Sequence, residues 1–566
     1  LNRTRMSVAV VALATASALA LTACGGGDSK SEAGPKKNSV PKSNANDVKP
    51  TDRDKLKQGG TVNWPLSQLP KNWNLSHANG SLADAVTVER ALMPSVMLSD
   101  ASGTVTPNPD YLTSAEVDAS SGTEVVTYKI NPKAKWSDGT PITWKDFEAN
   151  WKAQNGKNPK YKPASTTGYE LISSVAKGAD DHEVVVTFSS SFGDWKSLFS
   201  PLYPASVIGT PEGFDTGYLG KIPVTAGPFK FQGINETTQT VTVVRDDNWW
   251  GDKAILDKMV FRALAGDAVS GAFANGEVDL FSIGPDPAAY KQATTVKDAE
   301  IRKAAGPNYR HVTLNGAGGA LKDVKVRQAI MSALNREAIA QSDLEGLDWE
   351  AKPLNNHYFV TNQKGYKDNA AGIGVFDQAK AKSLLDEAGW KQSGEYRTKD
   401  GKTLELNFVI PASTAVSANE AKLAQPMLKA VGIKMNIKTV PLDDFWEKYV
   451  YVGNFDLTAF SWMGTSFPVS STKAIYAKPV PGDSEGQNFT GVGSDELDAA
   501  MDKAIATTDP AQQIADANAA DVMIWQQANL LPLYQRPDIY AVKKNLVNVG
   551  AFGFQDLRYE NIGYLK

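Results

Sequence analysis

Trp136-Ser137-Asp138-Gly139-Thr140-Pro141-Ile142-Thr143, leading into Lys145-Asp146-Phe147, links a strand to a helix through a tight turn. Just before it, Val126, Tyr128 and Ile130 alternate with Thr127 and Lys129, the period of a half-buried strand. Asp-Gly supplies a tight turn, and Thr143 is placed to cap a helix. Strand, turn and helix therefore follow one another within some thirty residues. Working outward, Val184, Val186 and Phe188 repeat the strand pattern, as does Thr240-Val241-Thr242-Val243. Helical spacing relates Val326, Ile330 and Leu334 after an N-cap at Asp323. It also relates Ala381, Leu384, Leu385 and Ala388 after Asp377, with Gly389 as the stop. Another helix is expected from Ser494, with Leu497, Met501 and Ile505 on one face. Strands and helices mix without a strict βαβ rhythm or a repeat of 20 to 50 residues, so the class is α/β or α+β in several lobes.

The first residues read as an export signal. Arg3 and Arg5 precede Met6–Leu21, an uncharged run of 16 residues that is short and Ala/Ser/Thr-rich for a membrane span. The run closes on Leu21-Thr22-Ala23-Cys24, which resembles a bacterial lipobox, and Cys24 is the only cysteine among the 566 residues. Residues 1–23 are therefore expected to be a signal peptide and Cys24 the lipidated N-terminus, anchoring the protein to a membrane that it does not span. An incidental thiol beside an ordinary cleavable signal is the alternative. A single cysteine forms no intrachain disulfide and no Cys-based zinc site. From Gly25 to Gln58 there is no aromatic residue, and Ser, Lys, Asp, Gly, Pro and Asn dominate. Residues 24–58 accordingly read as the lipidated cysteine and a flexible tether, with a root-mean-square span of roughly 30 Å.

Taking Arg3 and Arg5 from the 59 Lys and Arg leaves 57 against 63 Asp and Glu, a net charge near −6. That balance offers no case for nucleic-acid binding. With 42% hydrophobic residues and 13 Trp, the remainder can build more than one core. Motifs for catalysis are missing. His77, His182, His311 and His357 form no H-E-x-x-H pair, and there is neither a G-x-S-x-G elbow nor a phosphate-binding G-x-x-x-x-G-K-[ST] loop. In Gly316-Ala317-Gly318-Gly319, Leu321 stands where a dinucleotide fingerprint needs its third glycine. No cofactor or metal is expected.

The Trp136–Thr143 segment resembles the marker of the extracellular solute-binding proteins of family 5. Further matches follow in that family's order: Ala226-Gly227-Pro228-Phe229, Val244–Gly251 with Leu256-Asp257-Lys258 and Phe261-Arg262, and Gly276–Leu280. Asp323–Ile330 with Leu334–Ile339, Ala388-Gly389-Trp390, Phe455-Asp456-Leu457 before Trp462, Gly493–Asp498 and Leu531-Pro532-Leu533-Tyr534 complete the set, which spans nearly all of the chain from Gly59 to its end. The resemblance implies a two-lobed periplasmic-binding-protein-like α/β fold of type II, with an extra inserted domain and a hinge between lobes. Lobe one would take residues 59–97, 224–306 and 531–566, the insertion 98–223, and lobe two 307–530. It also implies a monomeric solute receptor, enclosing an oligopeptide or peptide-like solute and feeding ABC permease subunits with their cytoplasmic ATPases. The Ala-rich signal and long polar tether suit a Gram-positive surface.

In peptide-binding relatives the ligand lies extended and pairs its backbone with one segment of each lobe. The matching places here are Pro94-Ser95-Val96 and Ser461-Trp462-Met463-Gly464, with Thr465 a further candidate contact. Trp462 would form an aromatic wall; a core tryptophan is the alternative. Such relatives commonly carry an Asp just after this tryptophan for the peptide's α-ammonium group, where this chain reads Thr465-Ser466-Phe467-Pro468. Neutral hydroxyls do not replace a desolvated carboxylate as an ion-pair partner, so a sugar, a metal chelate or a blocked or cyclic peptide stands as the alternative solute. Tyr309, Arg310, His311 and Asn315 lie at the expected crossover into lobe two; Arg310 suits a carboxylate, a solvated surface arginine being the alternative. Trp73 and Asn74, after the first strand, are further candidates, with Trp73 alternatively capping the lobe-one core. A lipoprotein that signals or chaperones through the same fold, and a secreted hydrolase, are the other function classes weighed.

Overall fold

A computed structural model describes residues 45–480 and 487–566. In it the Asp138-Gly139 turn is closed by Gly139 N–H to Trp136 O at 2.9 Å and Trp136 N–H to Thr140 O at 2.8 Å. Gly139 sits at φ +89°, where a side chain would be strained. Thr143 N–H donates to Asp146 Oδ2 at 2.9 Å, the reciprocal half of a capping box at the start of helix Trp144–Gln154. The same turn joins two parts of the molecule. Ser137 N–H donates to Thr225 O at 2.7 Å, and Thr225 N–H to Ser137 Oγ at 3.0 Å. Beside it, Gly227 packs so tightly that a Cβ would lie 2.5 Å from Ala91 O. These motifs are joints of the fold.

Three sheets carry the architecture. In the first, Thr61–Leu66 pairs in parallel with Lys258–Ala263, and Thr240–Arg245 and Phe229–Asn235 continue antiparallel. Val62, Trp64 and Leu66 point inward, and Trp64 stacks on Tyr559 with centroids 6.1 Å apart. The second sheet orders Leu112–Asp118, Val125–Ile130, Glu183–Phe188 and Ile172–Lys177, all antiparallel. Its inward residues include Val126, Tyr128, Ile130, Val184, Val186 and Phe188, as the period-two reading requires. The third is mixed and six-stranded, in the order Leu280–Ser282, Leu530–Lys543, Ala299–Leu314, Leu457–Trp462, Glu405–Pro411 and Lys434–Val440. Helices Val324–Ala333, Gln378–Glu387 and Asp495–Ala506 start at Asp323, Asp377 and Ser494, whose side chains accept backbone N–H groups. Gly389, past the second of them, sits at φ +84°. The chain thus forms the two-lobed α/β fold.

Two long strands lie side by side in the third sheet. Ala299–Leu314 has 16 residues and Leu530–Lys543 has 14, against about 5 or 6 for an ordinary strand. The expected crossover at 306/307 falls inside the first strand, and that at 530/531 at the start of the second. Their pairing is interrupted between Ala305 and Tyr309, where Pro307 and Pro537 supply no N–H. A broken ladder bends more easily than a continuous one.

One expectation is corrected. Residues 45–58, read by composition as part of the tether, lie on the folded body. Asp47 N–H donates to Ala551 O at 2.6 Å, and Leu56–Lys57 pairs with Gly563–Leu565. Val48 and Leu56 are buried; fully burying such a side chain contributes about 1.5–3 kcal/mol, which two apolar anchors in a polar stretch are enough to provide. The signal segment, Cys24 and the tether before residue 45 lie outside the described residues.

Candidate functional site

A cleft of about 1950 Å³ opens where the two long strands are interrupted. Its floor is Gly306-Pro307-Asn308 with Arg536, Asp538 and Tyr540. One wall begins at the carboxyl end of strand Thr61–Leu66 and continues through Ser67–Asn72 and Asn79 to Leu82–Asp84. Asp84 fixes that wall, its carboxylate accepting Ser67 N–H at 2.9 Å and Gln68 N–H at 3.2 Å. The opposite wall is Ile410–Val416 with Pro441–Asp443, Trp446, Glu447, Tyr451, Met463 and Gly464. Ser282–Ile283 and Pro285–Asp286 close a further side.

Lys71 Nζ reaches across the mouth to Glu447 Oε1 at 2.9 Å, and that hydrogen bond raises the lysine pKa. The 98–223 segment holds on to the second wall's side of the molecule as well. Ser470 N–H donates to Asp194 Oδ2 at 3.0 Å, Gly193 N–H to Ile505 O at 3.0 Å, and Lys473 pairs with Glu170 at 2.9 Å. Within the cleft, burial pushes the carboxyls of Asp84 and Asp538 up to about 6. Burial lowers the pKa of Arg536, and the nearby charge of Arg310 lowers it further.

Of the residues singled out in the sequence, Met463 and Gly464 line this cleft. Met463 is 47% exposed. Gly464 donates its N–H to Asn308 Oδ1 at 3.1 Å, and a Cβ there would lie 2.2 Å from Pro307 O. Trp462 stands behind the wall, between the parallel rings of His311 and Phe489 at 5.9 and 5.7 Å. Its link to the cleft runs through Phe460, which contacts Trp446. Ser461 pairs with Arg310 in the sheet. Thr465 O accepts from Gln363 Nε2 at 3.2 Å.

The other placements depart from expectation for identifiable reasons. Arg310 is neither surface-exposed nor open to a solute: its guanidinium is buried and engages both oxygens of buried Glu420, with Nε to Oε1 at 2.9 Å. Tyr309 and His311 are buried too, and burial holds the imidazole well below its usual range, hence neutral. Asn315 braces a loop, donating to Gly453 O at 2.8 Å and Phe455 O at 3.0 Å. Pro94, Ser95 and Val96 have their carbonyls taken by Leu202 N–H, Asn108 Nδ2 and Asn108 N–H, each at 2.9 Å, so they offer no acceptors to an added strand. Trp73 is fully buried, and Asn74 donates to Phe214 O at 2.9 Å, sealing both against residues 203–218. Sequence reasoning missed the Ser67–Lys71 wall and the Arg536-Asp538-Tyr540 floor. The available signal was a polar loop at the carboxyl end of the first strand, where α/β sheets place ligands.

The family model described as "Bacterial extracellular solute-binding proteins, family 5 Middle" matches residues 106–480. The oligopeptide-binding protein OppA of Mycobacterium tuberculosis is 37% identical over 525 residues, covering 92% of this chain and 87% of its own. Among solved structures, the periplasmic EDTA-binding protein EppA superposes with a TM-score of 0.81 at 26% identity, covering 94% of this chain and 100% of its own. AppA of Bacillus subtilis, in complex with a nonapeptide, gives 0.80 at 22% identity, covering 90% and 100%.

Proposed function

The chain belongs to family 5 of the bacterial extracellular solute-binding proteins, and from that premise we propose that it captures an oligopeptide between its lobes and delivers it to the permease of an ABC importer. The observation that carries this reading is the cleft itself. At about 1950 Å³ it exceeds the roughly 300–1000 Å³ of a pocket for a drug-sized ligand. It is roomy enough for an extended chain and is walled by segments of both lobes. A solute touching both walls stabilises the closed arrangement, which is the state a permease can distinguish from the empty one. The relative OppA, named for oligopeptide binding, supports the choice of solute.

The chain is a receptor and not a catalyst, and it works as a monomer. The lobes divide near residues 306/307 and 530/531, with 98–223 as an insertion. Residues 1–23 direct export, and Cys24 carries the lipid that holds the body on the outer side of the cell membrane, on a Gram-positive surface. In the lobes, Met463, Gly464, Trp446 and Ser67–Lys71 contact the solute, with Trp462 buttressing the second wall.

A chelate or another non-peptide solute is the second reading. Two points favour it: Thr465 and Ser466 are neutral where the family resemblance leads one to expect an Asp, and EppA, 26% identical here, is an EDTA-binding protein. Calorimetric titration with a mixed-sequence hexapeptide pool, and separately with ferric EDTA, decides between them. Saturable binding of the pool is the expected result, and binding of the chelate alone would transfer the function to the second reading.

A further inference from the structure

Strand Leu530–Lys543 alternates. Gln535, Pro537 and Ile539 are buried, whereas Arg536, Asp538 and Tyr540 are half-buried and, with Pro537 between them, line the cleft. Asp538 has a structural task there, accepting Gly553 N–H at 3.0 Å. Arg536 has almost none. Its one hydrogen bond, Nη2 to Ser282 Oγ, is 3.5 Å long, and among the described residues no carboxylate lies within 4.0 Å of it. Every other described arginine is engaged: by a carboxylate, as with Arg310 and Glu420, or by several backbone carbonyls, as with Arg53, Arg327 and Arg336. A guanidinium carries five donors, and leaving them unmet in a partly desolvated site is unfavourable. The site also fits the group closely. Gly284 has φ +57°, and a Cβ there would lie 2.4 Å from Arg536 Nη2, so the backbone leaves room for the guanidinium where any other residue would displace it.

We infer that Arg536 anchors a carboxylate of the bound solute, its planar fork taking both oxygens at the hinge end of the cleft. This rests on the reading of the cleft as a peptide-binding site. Because the arginine stands opposite the interruption between the two long strands, a solute gripped there is held at the hinge, while the rest of its length meets the two walls. The carboxylate comes from the C-terminus of a peptide or from an acidic side chain, and both sources present the same chemistry.

Calorimetry with three hexapeptide pools separates them: a pool without Asp or Glu bearing a free C-terminus, the same pool C-terminally amidated, and an amidated pool with one Glu. The full chain is compared with Arg536→Gln and Arg536→Lys. A charge-assisted pair predicts roughly 10- to 100-fold tighter binding of a carboxylate-bearing pool than of the plain amide. Loss of that ratio is expected in Arg536→Gln and partial retention in Arg536→Lys, with both melting close to the wild type because the side chain has so few native contacts. Preference for the free C-terminus assigns the terminal carboxylate; recovery only by the Glu pool assigns a side chain. Equal binding of all three pools by the wild type, or a ratio unchanged in Arg536→Gln, overturns the inference while leaving peptide capture intact. A wild type that binds none of the pools overturns the peptide reading and the inference with it.

Discussion

Glu420→Ala is the perturbation that most sharply separates a structural arginine from a solute-binding one. Arg310 and Glu420 are 4% and 1% exposed, so removing the carboxylate strands a guanidinium in the lobe interior. Breaking a buried pair in this way costs about 3–5 kcal/mol. Asp343 softens the loss, because it lies in the same network. Burial raises its carboxyl to about 8 and the charge of Glu420 adds to the rise, so the carboxyl is protonated while Glu420 holds the arginine. With Glu420 gone, Asp343 can ionise as the substitute counter-ion, which places the cost near 3 kcal/mol. For about 500 folded residues the unfolding entropy is on the order of 1 kcal/mol per degree, so the melting temperature should fall by about 3 °C. Replacing both partners, Arg310→Met with Glu420→Leu, should recover most of that fall, since an apolar pair of similar volume leaves no charge unmet. Scanning calorimetry reads the melting temperature, and peptide titration well below it should give the wild-type affinity for both variants. An unchanged melting temperature accompanied by lost affinity would refute the reasoning and return Arg310 to the binding site.

Three further outcomes follow from the same geometry. Asp343 binds a proton in the folded state that an unfolded carboxyl releases near pH 4, so its contribution to stability is full below that pH and is lost as the pH rises through about 8. Asp343→Asn should therefore gain stability relative to the wild type at pH 8–9, with the difference shrinking toward pH 5, as denaturant titrations across that range will show. Gly464→Ala forces a methyl against Pro307 O and should destabilise the protein by about 1–3 kcal/mol, read by urea unfolding, and weaken binding by moving the cleft wall. Lys71→Ala removes an ion pair that is largely exposed on both sides. Such pairs contribute about 0–1 kcal/mol, so affinity should change by no more than about fivefold, with a faster dissociation rate in stopped-flow tryptophan fluorescence.

Much of the fold was legible because it rests on local rules. Period-two burial at Val126, Tyr128 and Ile130, and caps at Asp323, Asp377 and Ser494, need only neighbouring residues to be recognised. The site was less legible because it forms between segments far apart in sequence. Alternation along Arg536-Pro537-Asp538-Ile539-Tyr540 is visible in the chain, but which face meets the cleft depends on the sheet's neighbours. Arg310 misled for a related reason: it lies on a strand paired along both edges, where a charged residue keeps its place by finding a buried partner 110 positions away. Pro94–Val96 has the look of a free edge until Asn108 and Leu202 are seen to occupy its carbonyls.

Native mass spectrometry of the chain purified without denaturation, with fragmentation of whatever leaves it, shows whether the cleft encloses peptides. A heterogeneous set of short peptides, released on unfolding and bound one per protein, is the predicted result. A single non-peptide species of fixed mass in every preparation would contradict it.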